Sequence, residues 1–142
     1  MVAIAAVVFF RYIAAPFYIH GDSMAPTYRS GGITFGWRLP WIFSSPERGE
    51  VVIIQLAGRR VALLKRIVAL PGEKIEFRDG NLYVNDGRLD EPYVAKTGDW
   101  NLEPRVVEEN HFYVVGDNRS GSMDNHVFGQ VEKERIIGVP IW

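Results

Sequence analysis

From Pro16 onward the chain is a succession of short apolar runs cut by Gly, Pro, Asn and Asp, and nowhere does a 3.6-residue apolar period persist long enough for the helices of a bundle. That pattern confines the fold to a mostly β one. The expected strands are 17–20, 33–37, 51–56, 61–70, 74–77, 82–85 and 112–115. Asp79-Gly80 is a hairpin turn between two of them. Ser44, Ser45, Pro46, Arg48 and Gly49 make a loop, and residues 87–104, polar, poorly periodic and broken by Pro92, Gly98 and Pro104, read as a surface insertion. Residues 132–135 suit one helical turn before an apolar tail, 136–142, returns as a strand. The sequence contains no internal repeat and no low-complexity tract.

The N-terminus departs from this pattern. Residues 2–10 are unbroken apolar sequence, followed by Arg11 and a second apolar stretch, 12–19. A spanning helix needs about 20 such residues. The run before the arginine therefore reads as the last turns of a membrane helix, with Arg11 snorkelling at the interface beside Tyr12. A buried first element of a soluble core is the alternative; a cleaved leader lacks its basic start and meets Pro16 too soon. This divides the chain into an anchoring segment, 1–11, and one β-rich domain, 12–142, which carries the insertion at 87–104; 142 residues leave no room for a second large domain.

With 16 basic against 17 acidic residues, the chain has no electrostatic footprint for nucleic acid. It has no cysteine, hence no disulfide, no thiolate nucleophile and no cysteine-held zinc. His20, His111 and His126 lack the spacing of a metal site, and neither metal nor cofactor is expected.

Lys65 and Arg66 lie inside the strand 61–70, where the alternating neighbours of Lys65 are Leu63 and Ile67 and those of Arg66 are Leu64 and Val68. Both faces are apolar, so at least one cation is set against hydrophobic surface, which is costly unless it is paired or neutral. A lysine can escape by losing its proton, since burial lowers its reference pKa of about 10.4 by up to ~3 to 5 units. Such a lysine is a usable base. On an edge strand the same two residues would simply reach water. The turn Gly21-Asp22-Ser23-Met24-Ala25-Pro26 offers an exposed serine with a glycine two residues before it. Serine needs a base to become a nucleophile, and Ser-Lys pairs are one solution, although Gly-Asp-Ser is also common turn chemistry. A third polar segment, 116–129, follows the apolar strand 112–115 and holds Asp117, Asn118, Arg119, Ser122 and Asp124.

In these segments the sequence resembles the bacterial type I signal peptidases and their mitochondrial inner-membrane relatives. The matching boxes are Gly21-Asp22-Ser23-Met24-Ala25-Pro26-Thr27, Arg48-Gly49-Glu50-Val51-Val52, Lys65-Arg66-Ile67-Val68-Ala69-Leu70-Pro71-Gly72-Glu73 and the loop 116–129, in that order, with Pro16-Phe17 ahead of them. The resemblance implies an antiparallel β-sheet catalytic domain, anchored by an N-terminal transmembrane helix that this sequence holds only in part. It implies an inner (cytoplasmic) membrane location with the domain on the outer, periplasmic side, and removal of signal peptides from exported preproteins after small residues of the Ala-X-Ala kind. Ser23 would be the nucleophile and neutral Lys65 the base. Ser122 would orient the lysine amine, with Asp117, Arg119 and Asp124 as the supporting network. The oxyanion hole would use the N–H of Ser23, with Gly21 where many members carry a serine hydroxyl.

The last box departs from the family in reading Asp124-Asn125-His126 where Asp-Ser-Arg is usual, so the arginine's ionic role is absent or passes to His126. By position, Phe17, Ile19, Met24 and Leu64 are candidates to line shallow pockets for small residues, and Trp37, Trp41, Ile42 and Phe43 to rest on the lipid bilayer. A partner subunit is left open. The self-cleaving repressors share the dyad and the Gly-Asp-Ser-Met tetrad, but the Ala25-Pro26-Thr27 continuation and the loop 116–129 favour the peptidase; a membrane-anchored binding module is the non-enzymatic rival.

Overall fold

The computed structural model describes residues 14–37, 44–55 and 62–141, together with Ile4 and Val7. Eleven strands are found among the described residues: β1 Ala14–Tyr18, β2 Ile33–Trp37, β3 Val51–Gln55, β4 Ala62–Ala69, β5 Lys74–Arg78, β6 Asn81–Val84, β7 Gly87–Arg88, β8 Leu102–Val106, β9 His111–Val115, β10 Gly129–Glu132 and β11 Ile136–Pro140. They form a seven-stranded sheet, ordered β1-β2-β11-β3-β4-β9-β10, and a four-stranded sheet, ordered β7-β6-β5-β8. The ladders within both sheets are antiparallel. A mostly β, antiparallel fold is what the sequence requires.

The centre of the large sheet explains why the strand 61–70 is apolar on both faces. Along β4 and β9, Ile67, Phe112 and Val114 enter one core with Val52, Ile54 and Ile136. Their alternating neighbours Val68, Tyr113 and Val115 enter another, with Ile75, Phe77, Leu82 and Trp100 around the small sheet. A strand between two cores has no water-facing side and no polar period. Both tight hairpins of the small sheet follow from their turn residues. Asp79 and Gly80 take φ of 47° and 76° between the paired Arg78 and Asn81, and Asn85 and Asp86 take 51° and 67° between Val84 and Gly87. Two consecutive positive φ values define the type I′ turn, which Asp, Asn and Gly tolerate.

Several expectations are corrected. The first strand begins at Ala14, not at residue 17, and contains Pro16; β1 pairs with β2 alone, and an edge strand accommodates a residue without N–H. Residues 87–104 are more than a surface excursion. They supply β7, the start of β8 and the buried Trp100, whose indole N–H donates to the Gly121 carbonyl at 3.0 Å. Pro104 hid β8 from the sequence pattern and is likewise on an edge strand. The segment 116–129 ends in β10, and the expected helical turn is a 3₁₀ turn, Lys133–Arg135.

Ile4 and Val7 are helical and exposed; the rest of the anchoring segment and Trp41, Ile42 and Phe43 lie outside the described residues. Among the described residues no helix is long and apolar enough to cross a membrane.

Candidate active site

Ser23 sits on the turn between β1 and β2. The ends of that connection are tied by Ile19 N–H to Gly32 O at 2.8 Å and Gly31 N–H to Ile19 O at 2.9 Å. Inside it, Ala25 N–H donates to Asp22 O and Tyr28 N–H to Met24 O, while Gly21, at φ 89°, donates its N–H to Ser30 Oγ. The turn is fastened to the exit of β9. Asn118 donates its backbone N–H to Ser23 O at 3.0 Å and its Nδ2 to Asp22 O at 3.1 Å. Gly116 presses so close to the Ser23 carbonyl that a β-carbon there would collide with it.

Around Ser23 lies a depression whose wall includes Phe17, Ile19, Gly21, Met24, Thr34, Ile53, Leu63 and Leu64. It therefore gathers the four candidate pocket residues, the candidate nucleophile and Gly21. Lys65 is the next residue along β4, opposite Val52, with 3% of its surface exposed. Burial pulls its ammonium down to about 8 against the opposing pull of the Asp117 charge. The amine is thus far more often neutral near pH 7 than that of a surface lysine.

Asp117 is fully buried, and its charge acts on Lys65. Arg66 grips it in a fork, Nε to Oδ1 at 2.8 Å and Nη2 to Oδ2 at 2.6 Å, and Thr27 Oγ1 donates to Oδ2 at 2.5 Å. Arg66 also donates Nη1 to Gly49 O at 2.6 Å. The ionic partner of Asp117 is therefore Arg66. His126 Nε2 meets Ser120 O at 2.8 Å, and its ring lies 4.7 Å from that of Trp100. Thr27 and Arg66 were not assigned these contacts from sequence, although the cost of a cation on an apolar strand was a signal that Arg66 needs a partner.

The remaining candidates are spread out. Arg119 is buried, donating Nε to Gly116 O at 2.6 Å and Nη2 to Glu91 Oε1 at 2.5 Å. Ser122 is exposed at the start of the 3₁₀ turn Met123–Asn125, where its Oγ accepts from Asp124 N–H at 3.4 Å. With Asp124 it borders a separate depression, alongside Gly98, Asp99 and Asn101. The structure brings Ser23 to the β4 wall and Asp117 to Arg66 and Thr27, and leaves Ser122 and Asp124 on an outer turn. No group of three His, Asp or Glu among the described residues is placed to hold a metal ion.

The whole chain, residues 1–142, matches the family described as "Signal peptidase, peptidase S26". "Probable signal peptidase I-1" of Synechocystis sp. is 33% identical over 97% of this chain and 75% of its own length. "Probable signal peptidase I-2" of the same organism is also 33% identical, and the chain spans only 61% of its length. "Signal peptidase IB" of Staphylococcus aureus is 31% identical over 96% of this chain and 82% of its own. The crystal structure of a signal peptidase I from Enterococcus faecalis V583 superposes with a TM-score of 0.56 at 30% identity, covering 68% of this chain and 97% of that one.

Proposed function

The chain belongs to the signal peptidase family, peptidase S26, serine peptidases that remove signal peptides from preproteins, and on that premise we propose that residues 12–142 are the catalytic domain of a membrane-bound type I enzyme working through Ser23 and Lys65. The observation that carries the reading is the pairing of a serine turn, open to an apolar depression, with a strand whose next residue is a buried lysine of lowered proton affinity.

In the mechanism this supports, Ser23 Oγ attacks the scissile carbonyl while its proton passes to neutral Lys65 Nζ. The oxyanion accepts from the Ser23 N–H, where Gly21 leaves the approach open. The C–N bond breaks as the Lys65 ammonium returns the proton to the leaving amine, and water then hydrolyses the acyl ester with Lys65 again as base. Phe17, Ile19, Met24 and Leu64 leave space suited to alanine-sized residues at the first and third positions before the cut. Asp117 and Arg119 hold the loop after β9 against the serine turn. Ser122 and Asp124, on the exposed turn after Gly121, would support the loop that carries Asp117 and Arg119. Residues 1–11 would anchor the domain on the outer side of the inner membrane, with lipid and preprotein as its partners.

The test is cleavage of a preprotein bearing an Ala-X-Ala site by detergent-solubilised protein. Wild type should cut after the second alanine, with activity rising as pH passes through about 8 because the base must be neutral. Ser23→Ala should lower the rate by roughly 10⁴-fold or more. A variant that cuts as well as wild type, or activity that falls through this pH range, overturns the assignment.

A further inference from the structure

The segment between β7 and β8 reaches into the charged centre from above. The Tyr93 ring lies over the Arg66 guanidinium, 4.0 Å from carbon to centroid, and its hydroxyl donates to Glu91 Oε1 at 3.0 Å. Glu91 in turn accepts from Arg119 Nη2 at 2.5 Å and Nη1 at 3.4 Å. The Arg119 side chain is 1% exposed and that of Glu91 10%. Two residues of one segment thus hold both arginines beside Asp117: Arg66, which grips its carboxylate, and Arg119, which ties down the Gly116 carbonyl next to it. The same segment adds backbone contact, Gly98 N–H to Arg119 O at 2.8 Å.

We propose that Glu91 and Tyr93 are positioning residues of the active site, a clamp that fixes Arg66 on Asp117 and Arg119 on Gly116 and so sets the geometry of the Ser23 turn against β4. The proposal rests on Ser23 and Lys65 being the catalytic pair. An arginine over an aromatic face is attracted by the ring's quadrupole, which favours the one rotamer that also grips the carboxylate. A buried ion pair broken on one side leaves the other charge uncompensated, so loss of Glu91 removes what holds the Arg119 guanidinium in place. The consequence reaches Lys65 electrostatically. The Asp117 charge acts on Lys65, Arg66 and Tyr28, while Tyr93 and Glu91 face Arg66 and Arg119 from the other side. If Arg66 loosens, Asp117 is less neutralised and draws more strongly on the Lys65 proton.

The experiment compares Tyr93→Leu, Tyr93→Phe and Glu91→Gln with wild type, measuring kcat and KM on a preprotein across pH, and the Lys65 titration by NMR of its labelled ε-carbon. Tyr93→Leu should lower kcat about tenfold with little change in KM, since an interaction that shapes the reacting geometry is lost. Its Lys65 midpoint and the acid limb of its pH–rate curve should rise together, by on the order of half a pH unit. Tyr93→Phe keeps the ring on Arg66 and should keep the wild-type midpoint. Glu91→Gln, which removes one charge and no volume, should lower kcat severalfold. The clamp is refuted if a folded Tyr93→Leu retains the wild-type midpoint and kcat, or if Tyr93→Phe shifts the midpoint as far as Tyr93→Leu. Should Tyr93→Leu fail to fold, Glu91→Gln decides: kcat equal to wild type refutes the proposal. The titration is read whether or not the protein cuts, so absence of cleavage by wild type counts against the catalytic reading and not against the clamp.

Discussion

Lys65 holds its proton at a cost to the fold. In the unfolded chain its ammonium titrates near 10.5, whereas burial in β4 brings it to about 8. At pH 7 the folded state therefore carries a desolvated charge that the unfolded state does not, a penalty of up to about 3 kcal/mol on the conversion of 1.36 kcal/mol per unit. The sign follows from proton counting. Between about 8 and 10.5 the unfolded chain binds more protons than the folded one, so stability rises with pH across this window and is flat on either side of it. Replacing the lysine by an uncharged side chain of similar length removes both the proposed base and the penalty. Lys65→Met should thus be inactive yet more stable than wild type at pH 7, by about 1 to 3 kcal/mol, with the gain vanishing above pH 10.5. Urea unfolding at pH 7 and pH 11 checks this. Equal stability at pH 7 would mean that the ammonium is solvated in the native state.

At the level of elements, the parts legible in sequence are those whose side chains answer to a core. β3, β4, β5, β6 and β9 carry apolar runs or alternations because each faces at least one of the two clusters, β2 alternates between buried and exposed positions, and the positions of all six were readable to within a residue or so. β8 and β10 were not, since Glu103, Pro104, Arg105 and Val106 are exposed on an edge strand and β10 pairs with β9 alone. The site divides in the same way. The awkward lysine and the serine turn are local signals, but Glu91 and Arg119 stand 28 residues apart and meet between segments that no periodicity links. Gly116 shows how tightly two elements can be joined without leaving a pattern. A β-carbon there would meet the Ser23 carbonyl and come within 3.3 Å of Ser23 Cβ, so Gly116→Ala must push the serine turn off β9. Overpacking of this kind costs about 1 to 3 kcal/mol, and the displacement should lower kcat by about tenfold or more. Gly72→Ala is the control: at φ 80°, with nothing within 4 Å of the added carbon, it should lose about 1 kcal/mol through backbone strain and leave kcat unchanged. Thermal unfolding and preprotein kinetics on the two variants separate displacement from strain, and an unchanged kcat in Gly116→Ala would show that the turn tolerates the shift.

Taken whole, the molecule is apolar on one outer face. In the β1–β2 ribbon, Thr34 and Gly36 turn inward, Gly36 against Phe17 and Ile53, while Ile33, Phe35 and Trp37 turn outward. Across the ribbon Tyr18 stands opposite Ile33 and Pro16 opposite Phe35, and Ile141 is bonded to the Phe35 carbonyl. Tyr18 and Ile33 are each 64% exposed, Trp37 43%, Phe35 and Ile141 41%. Isolated exposed side chains mean little, but a contiguous apolar face marks a surface that meets lipid or protein. The ribbon also carries Phe17 and Ile19, which border the Ser23 depression, so whatever the face rests on fixes the height of the candidate active site above it. A bilayer is the occupant this face suits if the proposed membrane-bound peptidase is right, since tryptophan and tyrosine favour the lipid interface. Replacing Phe35 and Trp37 together by serine leaves the inward side of β2 intact. The double variant should cleave a short soluble peptide at the wild-type rate, yet cleave a preprotein inserted in phosphatidylethanolamine–phosphatidylglycerol vesicles severalfold more slowly, because productive height and tilt are lost. Equal losses on both substrates would place the defect in the fold of the ribbon, and no loss on either would show that the face does not bear on the membrane during cleavage.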